Sequence, residues 1–128
     1  MTTFLPSACR NYLEEGNITF REALEPDGRR GLVLGPLLLP TGKYTSPAAN
    51  VLILLPPGYP DTPPDMFYTD PWLRLLPDNR DPKAASVALQ FDGKTWQRWS
   101  RHNSTWRPGK DGIWTMLKRI ETALVEAR

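Results

Sequence analysis

Residues 99–104, with the sequence WSRHNS, carry the side chains of this 128-residue chain that are best suited to nucleophilic chemistry. A histidine beside a hydroxyl group can accept its proton and convert a serine into a usable nucleophile. Arginine or amide groups nearby can stabilise the oxyanion that forms when a carbonyl is attacked. The segment, together with Arg98 just before it, therefore predicts His102 as a general base, Ser100 as the nucleophile, and Arg98 or Asn103 as groups that stabilise negative charge.

The rest of the chain offers few other reactive groups, because it contains one histidine and one cysteine, Cys9. Zinc requires three or four suitable ligands, so we predict no metal site and no cofactor. Cys9 lies at helical spacing from Tyr12 and Leu13, which favours a buried structural thiol over a relocated nucleophile. A single cysteine also excludes an intramolecular disulfide, which favours a reducing compartment and hence the cytoplasm.

A stiff loop is predicted at residues 56–64, which contain five prolines in nine positions. Proline fixes φ, removes a backbone donor and pushes the preceding residue toward extended geometry, so this stretch cannot be helical. Strand patterns occur on both sides of it and upstream, at residues 18–23, 31–39, 48–55 and 66–69. The prolines and turn residues of positions 70–90 favour irregular chain.

Two amphipathic helices complete the pattern. Helical spacing predicts one at residues 8–15, capped by Ser7 and stopped by Gly16, and one at residues 113–125, capped by Asp111. The apolar face of the second helix needs a sheet to cover. We therefore predict a single α+β domain over residues 1–128, built as a four-stranded antiparallel meander packed against helices.

Two ordered motifs resemble the ubiquitin-conjugating (UBC) fold. Residues 59–64 match its Tyr-Pro-x-x-Pro-Pro signature, and Trp-Arg-Pro at 106–108, followed by a helix, resembles the Trp-x-Pro that follows the active-site segment. More narrowly, PDMF at 64–67 together with WQRWSRH at 96–102 resembles a bacterial branch, prokaryotic family E. The resemblance covers roughly residues 15–126 and implies a UBC-like fold.

This resemblance implies a place in a bacterial ubiquitin-like conjugation pathway, with a ubiquitin-like modifier, an activating enzyme and a JAB-type peptidase as partners. It also implies a catalytic cysteine about eight residues before the tryptophan of Trp-x-Pro, where a thiolate would carry the modifier. That position is near Arg98, and no cysteine follows Cys9. Two hypotheses follow: the modifier is transferred through a Ser/His oxyester centre, or the protein is a catalytically inert scaffold for modifier and activating enzyme.

Trp96 and Trp99 alternate with arginines beside the predicted site. Arginine and tryptophan are enriched at interface hot spots, so we predict that these two tryptophans contact a protein partner. In UBC-fold proteins the proline loop forms part of a partner-facing edge, which implies partner contacts for Tyr59 and Pro60. Interleaved arginine and tryptophan are also suited to binding single-stranded nucleic acid, which is a second alternative function. The four basic residues at positions 98–110 are not part of a wider basic face, and this disfavours nucleic-acid binding.

The overall charge also disfavours a nucleic-acid partner. With 16 basic and 14 acidic residues the formal net charge is +2, a weak field that does not select a nucleic-acid partner. No segment approaches the roughly 20 consecutive apolar residues of a membrane span, so we predict a soluble protein without a membrane partner.

Overall fold

A six-stranded antiparallel sheet organises the chain. A computed structural model describes residues 3–102 and 105–128. Its strands are β1 (Phe20–Leu24), β2 (Arg30–Leu38), β3 (Ala48–Leu55), β4 (Phe67–Asp70), β5 (Val87–Phe91) and β6 (Lys94–Trp99), and its helices are α1 (Ser7–Glu15) and α2 (Ile113–Glu126). The strands lie in the order β1-β2-β3-β4-β6-β5, with antiparallel pairing between neighbours. The predicted α+β class is confirmed.

The first four strands form the predicted meander, with ends within two residues of the predicted ones. The prediction of four strands was too low, because β5 and β6 add a hairpin beyond β4. Its two-residue turn is Asp92-Gly93, with φ of 53° and 70°, the left-handed geometry that closes tight hairpins. The prolines between residues 70 and 82 concealed this hairpin, since they made the whole stretch to residue 90 resemble irregular chain.

Both helices pack on the same face of the sheet. The buried residues of α2 follow the predicted helical spacing, and those of α1 include Cys9 at 1% exposure, as expected for a structural thiol. The helices and the sheet face form one apolar cluster, which includes Cys9, Leu13, Leu32, Leu34, Val51, Ile53, Phe67, Trp99, Ile113, Met116, Ile120 and Leu124. This cluster is the main core and holds the sheet at a fixed distance from α2.

The helix starts differ from the predicted caps. Pro6 precedes α1 without a side-chain cap, and Gly112 rather than Asp111 occupies the N-cap position of α2. Asp111 instead accepts hydrogen bonds from the backbone and guanidinium of Arg107 and from Thr115 Oγ1. The Arg107 guanidinium beside it, helped by these other bonds, lowers the pKa of the Asp111 carboxyl from 3.8 to about 2.

The other face of the sheet carries a second, smaller cluster, formed by Ala23, Leu52, Tyr68, Phe91 and Trp96. Trp96 belongs to this cluster and Trp99 to the main core, because successive odd and even positions of β6 point to opposite faces. Both indoles are completely buried, at 0% exposure. Neither therefore offers a surface to a partner protein or to a nucleic-acid base, contrary to the role expected for them.

Among the described residues, no helix has both the length and the apolar character that crossing a membrane requires.

Candidate functional site

The predicted site lies where β4 begins and β6 ends. Phe67 pairs with Trp99 across these antiparallel strands. Extending the register by two residues places Asp65, at the end of the proline loop, opposite Arg101 and next to His102. The sheet pairing alone thus brings together two segments that are 37 residues apart in the chain.

A buried polar cluster fixes this junction, and we call its members Thr69, Gln97 and Trp99 the clamp. Trp99 Nε1 donates to Thr69 Oγ1 at 2.9 Å, and that hydroxyl donates to Gln97 Oε1 at 2.9 Å. Gln97 Oε1 also accepts from the Leu73 N–H, while Gln97 Nε2 donates to the carbonyls of Leu73 and Ala85. All three clamp side chains have 0% exposure, so a satisfied network of this kind holds the strand ends rigidly.

Trp99 also stacks on Phe67, with ring centroids 5.4 Å apart and planes 15° from parallel. Immediately after it, the Ser100 N–H donates to the Ala84 carbonyl at 3.0 Å. Ser100 is therefore held at its backbone on one side and follows a fully buried side chain on the other. The position of its hydroxyl is set by the end of β6.

Asp65, His102 and Ser100 form a hydrogen-bonded series, which we call the triplet. His102 Nδ1 lies 2.8 Å from Asp65 Oδ1, and His102 Nε2 lies 3.4 Å from Ser100 Oγ. A carboxylate only accepts hydrogen bonds, so Nδ1 carries the proton toward Asp65 and Nε2 is left to accept from the serine hydroxyl. The 3.4 Å separation is at the long end of the hydrogen-bond range, as is common in catalytic pairs without substrate.

This arrangement is a serine, a base and an orienting carboxylate in the order required to activate a hydroxyl nucleophile. It is also open to solvent, since the side chains of His102 and Asp65 are 67% and 58% exposed. Asp65 borders a groove of about 720 Å³ whose apolar walls include Leu54, Met66 and Tyr68. Asp65 is the member of the triplet that lines this groove.

The sequence pattern pointed to Ser100 and His102, which the structure places within hydrogen-bond distance of each other, but it did not point to Asp65. That residue lies within the PDMF stretch, yet nothing in its own spacing relates it to His102. The signal that could have found it is strand register, which requires knowing that β4 and β6 are neighbours.

The structure describes only one of the two residues predicted to stabilise negative charge, Arg98 and Asn103. Arg98 lies on β6, and its Nε is buried with no hydrogen-bond partner among the described residues. No hydrogen bond between described residues joins Arg98 to Ser100 or His102. Asn103 lies outside the described residues.

Tyr59 and Pro60, for which partner contacts were expected, contact α1 and the Trp-Arg-Pro motif of the same chain. The Tyr59 hydroxyl lies 3.2 Å from Cys9 Sγ, and its ring lies 6.4 Å from the ring of Trp106. Burial, followed by the hydrogen bond with Cys9, raises the pKa of Tyr59 well above its ordinary value. Trp106 Nε1 donates to the Pro60 carbonyl at 2.9 Å, so the proline loop and the Trp-Arg-Pro motif contact each other directly.

Within residues 3–102 and 105–128, no group of three or more His, Cys, Asp or Glu side chains is arranged to hold a metal ion.

The family of this chain is decided by one comparison. The family model described as prokaryotic E2 family E matches residues 5–127. The chain belongs to prokaryotic E2 family E. Comparisons with curated proteins and with solved structures found no match.

Membership in prokaryotic E2 family E confirms the bacterial UBC-like branch that the two motifs indicated. An E2-like family implies a ubiquitin-like modifier and an activating enzyme as partners, and association with a conjugation pathway. This member lacks a cysteine in the segment before Trp106, which contains Ser100 and His102 of the triplet.

Proposed function

We propose that this protein transfers a ubiquitin-like modifier through an oxyester on Ser100, with His102 as general base and Asp65 as the residue that orients it. The observation that carries the proposal is the continuous hydrogen-bonded series from Asp65 through His102 to Ser100. Family membership supports the modifier and the activating enzyme as partners.

The first half-reaction loads the modifier. Ser100 Oγ attacks the C-terminal carbonyl of a modifier held as a thioester on the activating enzyme, while His102 Nε2 takes the hydroxyl proton. The new bond joins Oγ to the carbonyl carbon, the carbon–sulfur bond breaks, and the proton on Nε2 passes to the departing thiolate. Asp65 accepts from Nδ1 throughout and stabilises the imidazolium.

The second half-reaction releases the modifier to an amine. The amine attacks the ester carbonyl and loses its proton to His102 Nε2, so that a carbon–nitrogen bond forms. The bond between the carbonyl carbon and Ser100 Oγ then breaks, and Nε2 returns the proton to the serine oxygen. We assign Arg98 and Asn103 to stabilisation of the two oxyanions, a role suited to a cation and an amide donor.

A catalytically inert scaffold is the second candidate function. The exposure of His102 and Asp65 favours it, because exposed charges lose much of the strength that a buried triad provides. As a scaffold the protein would bind modifier and activating enzyme without forming a bond to either. A JAB-type peptidase is a proposed further partner under both functions.

Variants of Ser100 and His102 distinguish the two functions. The protein is incubated with its modifier, the activating enzyme and ATP, and adducts are separated with and without thiol. We expect a thiol-stable adduct with the wild type, none with Ser100→Ala, and a thiol-labile adduct with Ser100→Cys because a thioester replaces the ester. His102→Ala should slow loading by roughly 10²–10⁴-fold.

Ser86→Cys is the matched control, because Ser86 is an exposed serine beyond the triplet. It should keep the thiol-stable adduct of the wild type. Wild-type adduct levels in folded Ser100→Ala would exclude Ser100 as the carrier. Full binding of modifier and activating enzyme with no adduct in any variant would establish the scaffold.

A further inference from the structure

A basic groove opens near Ser100, whose N–H donates to the carbonyl of Ala84 in the groove lining. It has a volume of about 800 Å³ and lies between α2 and the loop that contains Ala84. Its lining combines small side chains, among them Ala84, Ala123 and Thr122, with long charged side chains, which we call the rim. The charged residues of the rim are Lys83, Arg101, Lys118, Arg119, Arg128 and Glu126.

Five of these six charged side chains are cationic, although the chain as a whole has a net charge of only +2. None of the five forms an ion pair with a carboxylate among the residues the structure describes. Several arginines elsewhere do face carboxylates, among them Arg10 with Glu22 at 2.8 Å and Arg80 with Asp78 at 3.2 Å. The basic groove therefore has an excess of positive charge, which Glu126 in its lining offsets only in part.

Its geometry is held in place by backbone contacts. The Lys83 N–H donates to the Arg128 carbonyl at 2.8 Å, which joins the loop to the chain after α2. Arg101 donates to the carbonyls of Ser100 and Lys83 and lies 5.5 Å above the Trp99 ring. Because the Arg101 side chain is already fixed by these contacts, a bound anion would lose little additional side-chain entropy at this position.

We propose that the basic groove binds an acidic peptide segment, whose Asp or Glu carboxylates pair with the rim cations. Arginine presents a fork of donors that matches a carboxylate, and three arginines lie on this rim. The lining residues contain no aromatic ring among the described positions, so the stacking platform that single-stranded nucleic acid requires is absent there. An acidic peptide needs only the charges and the open space.

The inference is independent of ester formation on Ser100, because binding is measured without modifier, activating enzyme or ATP. The probe is a fluorescein-labelled peptide of alternating Glu and Gly, followed by fluorescence anisotropy. We expect saturable binding that weakens as salt is raised, since these charges lie at a solvent-exposed surface. The same peptide with Gln in place of Glu should not bind.

The test variant is Lys83→Glu with Lys118→Glu, since both lysines are exposed and lie on opposite walls of the basic groove. It should weaken binding at least about tenfold, because each lost surface ion pair contributes a few-fold. The control is Lys94→Glu with Lys110→Glu, two exposed lysines outside the groove, which changes the net charge equally and should leave affinity within about twofold. Circular dichroism checks that both proteins are folded.

Three results would overturn the proposal. Equal weakening by the two double variants would show that only net charge matters. Equal binding of the Gln peptide would show that carboxylates are not recognised. Tighter binding of an oligothymidylate, lost in the Lys83/Lys118 variant alone, would make the basic groove a nucleic-acid surface. If the test variant instead fails to fold, Lys83→Gln alone must still weaken binding measurably more than Lys94→Gln.

Discussion

The clamp and the triplet lie next to each other at the junction of β4 and β6, yet they differ in almost every physical respect. Thr69, Gln97 and Trp99 are completely buried, and their hydrogen bonds connect several loops. Asp65 and His102 are more than half exposed and bond chiefly within the triplet. The buried network and the exposed triplet are therefore adjacent but separate sets of side chains, and the proposed function assigns the reaction to the second set.

This division has a physical basis. A buried polar network stabilises a fold only when each of its groups is paired, so its members cannot be spared for chemistry. A nucleophile and its base must be reached by substrate, so they contribute few buried contacts. The clamp holds the end of β6 in place, and Ser100 is the first residue beyond it.

The largest effect is expected from the clamp. Gln97→Leu leaves the Leu73 N–H and the carbonyls of Leu73 and Ala85 without their present partner. Buried groups left unpaired cost about 1–3 kcal/mol each, and partial relaxation should bring the total loss in the free energy of unfolding to about 3 kcal/mol. Denaturant melts measure this value.

Gln90→Leu is the control for that variant, because Gln90 is exposed and its side-chain amide donates to the exposed Thr95 hydroxyl, not to a buried network. It should change stability by less than about 0.5 kcal/mol. A similar small change for Gln97→Leu would mean that the clamp does not fix the junction.

A smaller effect is expected from the triplet, and it concerns modifier loading instead of stability. Asp65→Asn removes the carboxylate that accepts from His102 Nδ1, so the imidazole loses its fixed tautomer and its charge partner. Modifier loading should fall by at least about tenfold, less than the roughly 10⁴-fold of a buried triad aspartate, because Asp65 is exposed. Stability should stay within about 0.5 kcal/mol of the wild type.

Asp61→Asn is the matched variant, an exposed aspartate of the same loop. It should leave both loading and stability unchanged. If Asp65→Asn loads at the Asp61→Asn rate, the hydrogen bond to His102 has no catalytic role and the comparison between the two regions fails on its reactive side.

The smallest effect is expected at Asp111, which precedes α2 and lies outside both the clamp and the triplet. It concerns the stability of the fold at acid pH. Its pKa is lowered from 3.8 to about 2, chiefly by Arg107, so its ionised form favours the folded state. This stabilisation is complete above about pH 4 and is lost as pH falls toward 2. The difference in melting temperature between wild type and Asp111→Asn should close over that range.

Arg107→Gln removes the main cause of the lowered Asp111 pKa. In that background, Asp111→Asn should change the melting temperature much less. Modifier loading at neutral pH should be the same with and without the Arg107–Asp111 ion pair. A difference in melting temperature that stays constant from pH 6 to 2 would contradict the assignment of this acid-sensitive contribution to Asp111.

The sequence predicted the fold well where pattern and packing agree. The run at Ala48–Leu55 and the apolar stripe of α2 gave correct elements because each buries a continuous face. The β5–β6 hairpin was missed because its first strand is short and mostly exposed, so it has little apolar signature. Trp96 and Trp99 were misassigned because the sequence does not distinguish a tryptophan buried in a strand from one exposed at an interface.

The candidate site was predictable in part. Ser100 and His102 are close in sequence, so their proximity could be inferred from spacing, whereas Asp65 depends on a pairing between distant strands. Gln97 had no signal at all, because a glutamine in a strand is ordinarily exposed and only the surrounding loops show that this one is enclosed.

Peptide mapping of the wild-type adduct tests Ser100 as the carrier most directly. Trypsin cleaves after Arg98 and Arg101, which isolates Trp99-Ser100-Arg101 with Ser100 as its only hydroxyl side chain. After loading with modifier, activating enzyme and ATP, this tripeptide should carry the modifier's C-terminal fragment, resist thiol and lose the fragment to hydroxylamine. A fragment found instead on the peptide that contains Cys9, released by thiol, would contradict the account.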